Sequence, residues 1–423
     1  MAPKLRGLSA KPPPLSVAGP DATLPFHHRS PRYTPPRSSS SLPSPAGRHP
    51  TASRRLSVPH PGARTSSYVT AHHLLMGSVG GDEAVQAEES ASGGVDVWSD
   101  AVSSYDPDHL LVMVHGILGS NADWQYAANE FVKQLPDDVI VHRSEKNMNT
   151  LTLDGVDVMG ERLADEVIDV ISRKPELTKI SFLAHSVGGL ASRYAIAKLY
   201  RHPNDTFKGE TKGSICGLEA MNFITVATPH LGSRGNKQVP LLFGSTAMEN
   251  VASRVVHWIF RRTGKHLFLT DNDEGEPPLL QRMAEDYGDL YFISALCAFK
   301  RRVAYANADC DHIVGWRTSS IRRNTELPKW EESISEKYPH IVHEEYSEEF
   351  DDETCQNSAA DCDSDILEEK MVTGLRRVSW EKVDVSFHTS MQRFAAHSII
   401  QVKYQFMNEG ADVIQHIIDH FQV

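Results

Sequence analysis

From residue 108 onward the apolar positions fall into two kinds of block. His109-Leu-Leu-Val-Met-Val-His115, Val139 to Ser144, Ile180 to Leu183, Met221 to Ala227 and Val303 to Asn307 are short continuous runs. Such runs predict strands buried on both faces of a sheet. Trp380-Glu-Lys-Val-Asp-Val-Ser-Phe387 alternates, as a further strand would. Between these runs the period changes. Val156, Met159, Leu163, Val167 and Val170 or Ile171 form one face of a helix over 155–174, which Pro175 ends. Leu190, Tyr194, Ile196 and Leu199 recur at helical spacing, and Val413, Ile414, Ile417, Ile418 and Phe421 close the chain the same way. Strands alternating with helices predict an α/β fold with a mainly parallel central sheet flanked by helices.

The blocks interrupting this alternation have a different character. Pro240 to Lys300 is rich in apolar and aromatic residues, and a helical cap is expected over about 236–300. Such a cap suits an acyl chain, although an extra helical core layer explains most of its residues equally well. Arg261-Arg262 and Lys300-Arg301-Arg302 read as solvated charge rather than phosphate clamps. An acidic insertion over about 318–378, with Glu344, Glu345, Glu348, Glu349, Asp351 and Asp352 at its centre, reads as solvated and partly disordered.

The first hundred residues differ again. Residues 1–68 are rich in Pro, Ser and Arg and hold one acidic residue, Asp21, so they bury too little apolar surface to offset ordering entropy. The segment resembles an organelle transit peptide, of plastid type especially; an untargeted tail is the alternative. Gly77 to Ser99 reads as a linker, giving a disordered extension over 1–100 and a globular domain over 105–423. The expected location is intracellular, chloroplast if the segment directs import and cytoplasmic otherwise. A formal charge of −12 over 423 residues argues against nucleic acid as the main partner. No apolar run reaches the roughly 18 residues of a spanning helix. Cys216, Cys297, Cys310, Cys355 and Cys362 are odd in number and irregularly spaced, so reduced thiols are expected and no metal site.

Candidate chemistry sits at the ends of the predicted strands. Ala184-His-Ser-Val-Gly-Gly189 joins a strand to a helix in too few residues for an ordinary loop. Such a reversal is the nucleophile elbow, which presents a serine oxygen above the sheet, with Gly188 as one of its small positions. Ser186 is therefore a candidate nucleophile, with simple helix capping as the alternative. His115-Gly116-Ile-Leu-Gly-Ser120 follows the first run, where backbone N–H groups can turn toward a developing oxyanion. The N–H groups of Ile117 and Val187 are the candidate donors, with His115, Gly116 and His185 as supporting residues. Asp311, before an apolar pair in the turn after a late strand, is the candidate acid, preferred to Asp309. His397 is the candidate base and His388 its competitor. His230, in Thr228-Pro-His-Leu-Gly-Ser233, reads as a residue lining the site.

With these segments in place, the chain resembles the serine esterase, lipase-like family of α/β-hydrolases found in plants and fungi. The resemblance runs from about Asp108 to Val423. It is carried by His109 to Ser120, Ala184 to Leu190, Ala227 to Ser233, the Asp311 turn and Ala396 to Lys403. It implies the α/β-hydrolase fold, with catalytic serine, acid and histidine at Ser186, Asp311 and His397. It also implies hydrolysis of carboxylic esters of lipid or small-molecule type, without metal or organic cofactor. A peripheral contact with a membrane or lipid droplet fits such a substrate. Thioester hydrolysis or acyl transfer on the same triad, and a non-catalytic lipid- or partner-binding module, remain as alternatives.

Overall fold

In a run buried on both faces, neighbouring residues must feed opposite cores, and the strand β3 (His109–Val114) does so. Leu110, Val112 and Val114 join one apolar cluster; Leu111 and Met113 join the other. The computed structural model describes residues 86–89, 95–99, 107–203, 213–233, 260–272, 275–329, 335–348 and 363–423. The proposed targeting segment, 1–68, and the apolar stretch 241–259 lie outside the described residues.

After β3 come helix α1 (Gln125–Gln134), strand β4 (Val139–Arg143), helix α2 (Val156–Arg173), strand β5 (Lys179–His185) and helix α3 (Val187–Leu199). The chain then continues into strand β8 (Glu219–Val226), helix α4 (Phe292–Ala298), strand β9 (Arg301–Asn307) and strand β10 (Ile341–Ser347). Helix α5 (Asp363–Leu375), strand β11 (Trp380–Val385) and helix α6 (Ala411–Asp419) complete it. A small ribbon, β6 (Tyr200–Arg201) with β7 (Ser214–Ile215), stands apart. Strands β1 (Gln86–Glu89) and β2 (Val95–Ser99) precede β3.

Among the described residues, nine strands form one sheet in the order β1-β2-β4-β3-β5-β8-β9-β11-β10. The six from β4 to β11 in that order run parallel; β1, β2 and β10 add antiparallel edges. Helices α2 and α3 pack on one face, with Val156, Met159, Leu163, Val167 and Leu190 in the first cluster. Phe131 of α1 and Val413 and Ile417 of α6 cover the other face. Both alternatives left by the α2 pattern are used: Val170 is buried and Ile171 packs half-buried beside it. This is the α/β-hydrolase architecture. Because the six strands are parallel, the turns after β3, β5, β9 and β11 all emerge at one carboxyl-terminal edge.

Four segments differ from the pattern-based expectation. Residues 86–89 and 95–99 are edge strands rather than linker, with Val97 and Trp98 in register with His142 and Val141 of β4. The 318–378 stretch is not simply a solvated insertion. Its described parts hold β10 and α5, and Met371, Val372 and Leu375 are buried. Its acids are matched by arginines of the same stretch: Glu345 by Arg322, Glu326 by Arg323 and Arg376, and Glu369 by Arg323. The described part of the expected cap at 279–299 is a core layer instead. Leu279, Leu280, Met283, Phe292, Leu296 and Phe299 pack in the cluster that holds α3. Arg301 and Arg302 are buried, not solvated. Arg301 pairs with Glu381, and Arg302 donates to the carbonyls of Ser379, Leu296 and Phe299.

One buried ion pair braces the segment beyond the Asp311 turn. Arg322 Nη1 donates to both Asp384 oxygens, at 2.8 and 2.9 Å, and Trp316 Nε1 donates to Asp384 Oδ1 at 2.6 Å. Arg322 and Asp384 are 1% and 0% exposed. Removing one partner of such a pair leaves the other charge buried. Asp384→Ala is therefore expected to cost about 3–5 kcal/mol of unfolding free energy, read from the urea midpoint; a loss below about 1 kcal/mol would contradict the bracing role.

Candidate active site

The turn after β5 is too tight for an L-residue in its ordinary conformations. Ser186 sits at φ 54°, ψ −133°, a strained geometry fixed by bonds on either side. Its N–H donates to Val226 O at 2.9 Å, and its carbonyl accepts from Gly189 N at 3.0 Å. Helix α3 then passes so close to β3 that a Cβ on Gly188 would lie 2.4 Å from the His115 carbonyl oxygen. Backbone cannot yield there, which explains the glycine. Gly116 faces the elbow from the other side; a Cβ on it would lie 2.9 Å from both His185 Nδ1 and Ser186 Cβ. Ala184 takes the other small position of the elbow, with its methyl buried in the α3 cluster.

The turns after β9 and β11 bring two more side chains to this point. Ser186 Oγ donates to His397 Nε2 at 3.0 Å, and His397 Nδ1 donates to Asp311 Oδ2 at 2.9 Å. The imidazole is thereby assigned the tautomer with its proton on Nδ1. Asp311 is enclosed by donors. Oδ1 accepts the N–H groups of Ile313 and Val314 at 2.9 and 2.8 Å, and Oδ2 also accepts Asn307 Nδ2 at 2.9 Å. Burial alone pushes this carboxyl up. The His397 charge, with hydrogen bonds from His397, Val314 and Asn307, outweighs burial and holds it below the ordinary carboxylate range.

His185 supports the same constellation from beneath. Its Nε2 donates to the His397 carbonyl at 2.7 Å, and the two rings lie 4.6 Å apart. Burial, then the neighbouring His397 charge, drives its pKa well below the usual imidazole range. It stays neutral, and its single N–H pins the loop carrying His397. On the side of the candidate oxyanion donors, Leu118 N–H is taken by Thr152 Oγ1 at 2.8 Å and Gly119 N–H by Gly116 O at 3.1 Å. Ile117 offers the N–H of this turn that precedes those two, and Val187 offers the first N–H of α3. His115 is buried, with Nδ1 donating to Gly116 O at 3.0 Å, and burial lowers its pKa.

Residues 104–321, which carry the oxyanion turn, the elbow and the Asp311 turn, match the family described as "Putative serine esterase (DUF676)". The chain belongs to this serine esterase family. His397 lies beyond the matched span. Among curated relatives, "Putative lipase YDL109C" of Saccharomyces cerevisiae is 30% identical over 232 residues, which is 53% of this chain and 32% of the relative. "Putative lipase ROG1" of the same yeast is 31% identical over 238 residues, 54% of this chain and 31% of the relative. The chain thus spans about a third of the length of these relatives. Among solved structures, Bacillus licheniformis lipase BlEst2 in its propeptide form is similar at 15% identity and TM-score 0.31, over 50% of this chain and 38% of that one.

In this serine esterase chain the competing candidates form a separate pair. Ser386 Oγ donates to Asp309 Oδ2 at 3.0 Å and lies 3.0 Å from His388 Nδ1. Asp309 and His388 are thus joined to each other through Ser386, while Asp311 and His397 are joined to Ser186. His230 is fully buried, with Nε2 3.0 Å from Thr225 Oγ1 and its carbonyl accepting from Arg193 at 3.4 Å. It supports the 228–233 loop from within the core. Arg193 itself is buried, without a carboxylate partner among the described residues; burial lowers its pKa to about 9, and its Nη2 donates to Met283 O at 2.7 Å.

Two contributors were missed by sequence reasoning. Asn307 reads in the sequence only as a strand end, yet its Nδ2 donates to Asp311 Oδ2 and orients that carboxylate. Thr152 carries no motif. It receives the oxyanion-turn N–H on its hydroxyl and a bond from Thr263 Oγ1 on its carbonyl at 2.7 Å.

Proposed function

We propose that this chain is a serine hydrolase that cleaves carboxylic esters, with acyl lipids as its substrate class. The observation that carries the proposal is the unbroken hydrogen-bond line from Asp311 through His397 to Ser186, ending on a strained elbow. The match to the serine esterase family supports it, and the relatives named as lipases favour lipid esters. Exposed Leu118 and Ile313, on the oxyanion and acid turns, give the rim of the site an apolar character suited to acyl chains.

Ser186 Oγ attacks the acyl carbon while His397 Nε2 takes its proton. The N–H groups of Ile117 and Val187 receive the charge developing on the carbonyl oxygen, each donor contributing on the order of 3 kcal/mol. His397 returns the proton to the leaving alcohol, and the acyl group stays on Ser186. Water, deprotonated by the same imidazole, then attacks the acyl-enzyme and releases the carboxylic acid. Asp311 holds Nδ1 protonated and stabilises the imidazolium in both steps.

A fluorophosphonate probe tests the proposal directly. Mass spectrometry is expected to find the adduct on Ser186, with labelling abolished in His397→Ala. A folded protein whose Ser186 stays unlabelled would instead be a binding module.

A further inference from the structure

Among the described residues the three most exposed large apolar side chains stand on one segment, the one that delivers His397. Met391 is 93% exposed, Phe394 73% and Phe406 69%. Single exposed apolar residues are ordinary, whereas a contiguous group marks a surface that meets something apolar. These side chains belong to one group. Gln392 Nε2 donates to the Phe406 carbonyl at 3.3 Å, which joins the start of the segment to its end. The Tyr404 and Phe406 rings stack at 5.4 Å, and Phe394 stacks on His312 of the Asp311 turn at 6.3 Å. Ile313, beside His312 and also exposed, carries the group to the rim of the candidate active site.

The backbone explains why these positions project. The segment closes on itself: Ser390 N donates to Phe387 O at 2.9 Å, Ala395 N to Gln392 O at 2.8 Å, Lys403 N to Ser398 O at 3.1 Å and Met407 N to Tyr404 O at 2.8 Å. Its inward positions, Ala396, Ile399, Ile400 and Val402, pack in the core under the sheet. The turns before and after them are left to hold the exposed side chains outward.

Two observations select a lipid surface as the occupant. Residues 385–408 contain no Asp or Glu, in a chain of net charge −12. The two cations of the segment lie against its rings: Arg393 is 5.2 Å from the Phe394 centroid, and Lys403, paired with Asp123, is 5.8 Å from the Tyr404 centroid. Aromatic rings flanked by long cationic stems suit the boundary between acyl chains and headgroups, where the stem lies along apolar surface and the charge reaches the polar layer. The group also brackets His397 in the chain, so whatever covers it stands beside the catalytic turn. A lipid layer there supplies substrate, whereas a protein seated there obstructs it.

We infer that the 388–407 segment docks this protein onto a lipid surface, with Met391, Phe394 and Phe406 entering among the acyl chains. The benefit to catalysis rests on the function proposed above; the docking itself does not, and is measured with catalysis removed.

Flotation of the full chain with phosphatidylcholine–phosphatidylglycerol vesicles is the test, on a Ser186→Ala background so that nothing is hydrolysed. This parent protein is expected to float. Adding Met391→Ser and Phe406→Ser weakens partitioning about a hundredfold, about tenfold for each apolar side chain kept in water. Met391→Leu with Phe406→Leu keeps the apolar surface and floats like the parent. With Ser186 restored, the serine pair leaves kcat/KM for soluble p-nitrophenyl acetate unchanged, since both side chains point to solvent, and lowers hydrolysis of diacylglycerol carried in the vesicles. A parent that stays in the soluble fraction, or a serine pair that floats equally well, overturns the inference. So does a parent that is a dimer by light scattering and a monomer as the serine pair, with neither floating, because the surface then belongs to a second copy. Absent esterase activity with flotation intact rejects the functional reading and leaves the docking in place.

Discussion

Replacing Ser186 with alanine is expected to lower kcat on short p-nitrophenyl esters by about a millionfold, leaving only what the oxyanion donors and substrate binding supply. The folded structure should survive, because among the described residues the hydroxyl's hydrogen bond is to His397 Nε2, itself part of the site rather than of the core. Asp311→Asn is expected to cost about 10⁴-fold, and the reason is specific to this site. All four acceptor positions of the carboxylate receive donors: two backbone N–H groups on Oδ1, and Asn307 and His397 on Oδ2. An amide nitrogen at Oδ1 would face two N–H groups. At Oδ2 it would face Asn307 and push the His397 proton onto Nε2, where the imidazole can no longer accept from Ser186. Neither orientation of the amide satisfies the site. Steady-state kinetics with a circular dichroism check on folding decides the matter. A Ser186→Ala protein that keeps a tenth of wild-type turnover would remove the serine from the mechanism.

The site could be anticipated because its signals are local. The elbow needs a short run of small residues in sequence, and the turns after β9 and β11 announce themselves by an acid or a histidine next to an apolar pair. The central strands could be read because they are buried on both faces, which leaves little room for polar residues. The edges could not. Strand β10 carries Glu344 and Glu345, and its charge conceals a ladder in which Glu345 pairs with Arg322 and Glu344 lies 3.5 Å from His416 Nε2 of the last helix. Arg301 and Arg302 misled for a related cause. Beside the nearby carbonyls of 296 and 299, their burial depends on the Ser379 carbonyl and on Glu381, 77 and 80 residues further on, which no local window contains. Arg261 and Arg262 are exposed, as their reading as solvated charge expects, with Arg262 paired to Asp157. Local chemistry was visible in the sequence, whereas compensation of charge across the fold was not.

Acid is expected to unfold this protein well before its carboxylates titrate. His109, His115, His185, His230 and His266 are buried, and in each burial is the largest cause holding the imidazole below its ordinary range. Unfolding returns them to solvent, where an imidazole takes a proton near pH 6.5. Below that pH the unfolded chain binds more protons than the folded one, so stability falls as pH falls, and keeps falling until the folded pKa is reached. Each such histidine contributes up to about 1.4 kcal/mol per pH unit. His109, lowered to about 4, loses about 2 kcal/mol by pH 5. His185 and His230, pushed well below their usual range, follow the same slope. These three alone give up to about 4 kcal/mol per pH unit, against a whole-domain stability of about 5–15 kcal/mol. Glu166 and Asp311, both held low, add their losses only below about pH 4, where free carboxyls protonate. Urea midpoints measured from pH 7.5 to 5 should therefore drop steeply below 6.5, and His109→Gln should reduce the slope by about one proton. Midpoints that stay level over that interval would mean that the buried imidazoles take up protons in the folded state. The neutral His185 that pins the His397 loop would then have no basis.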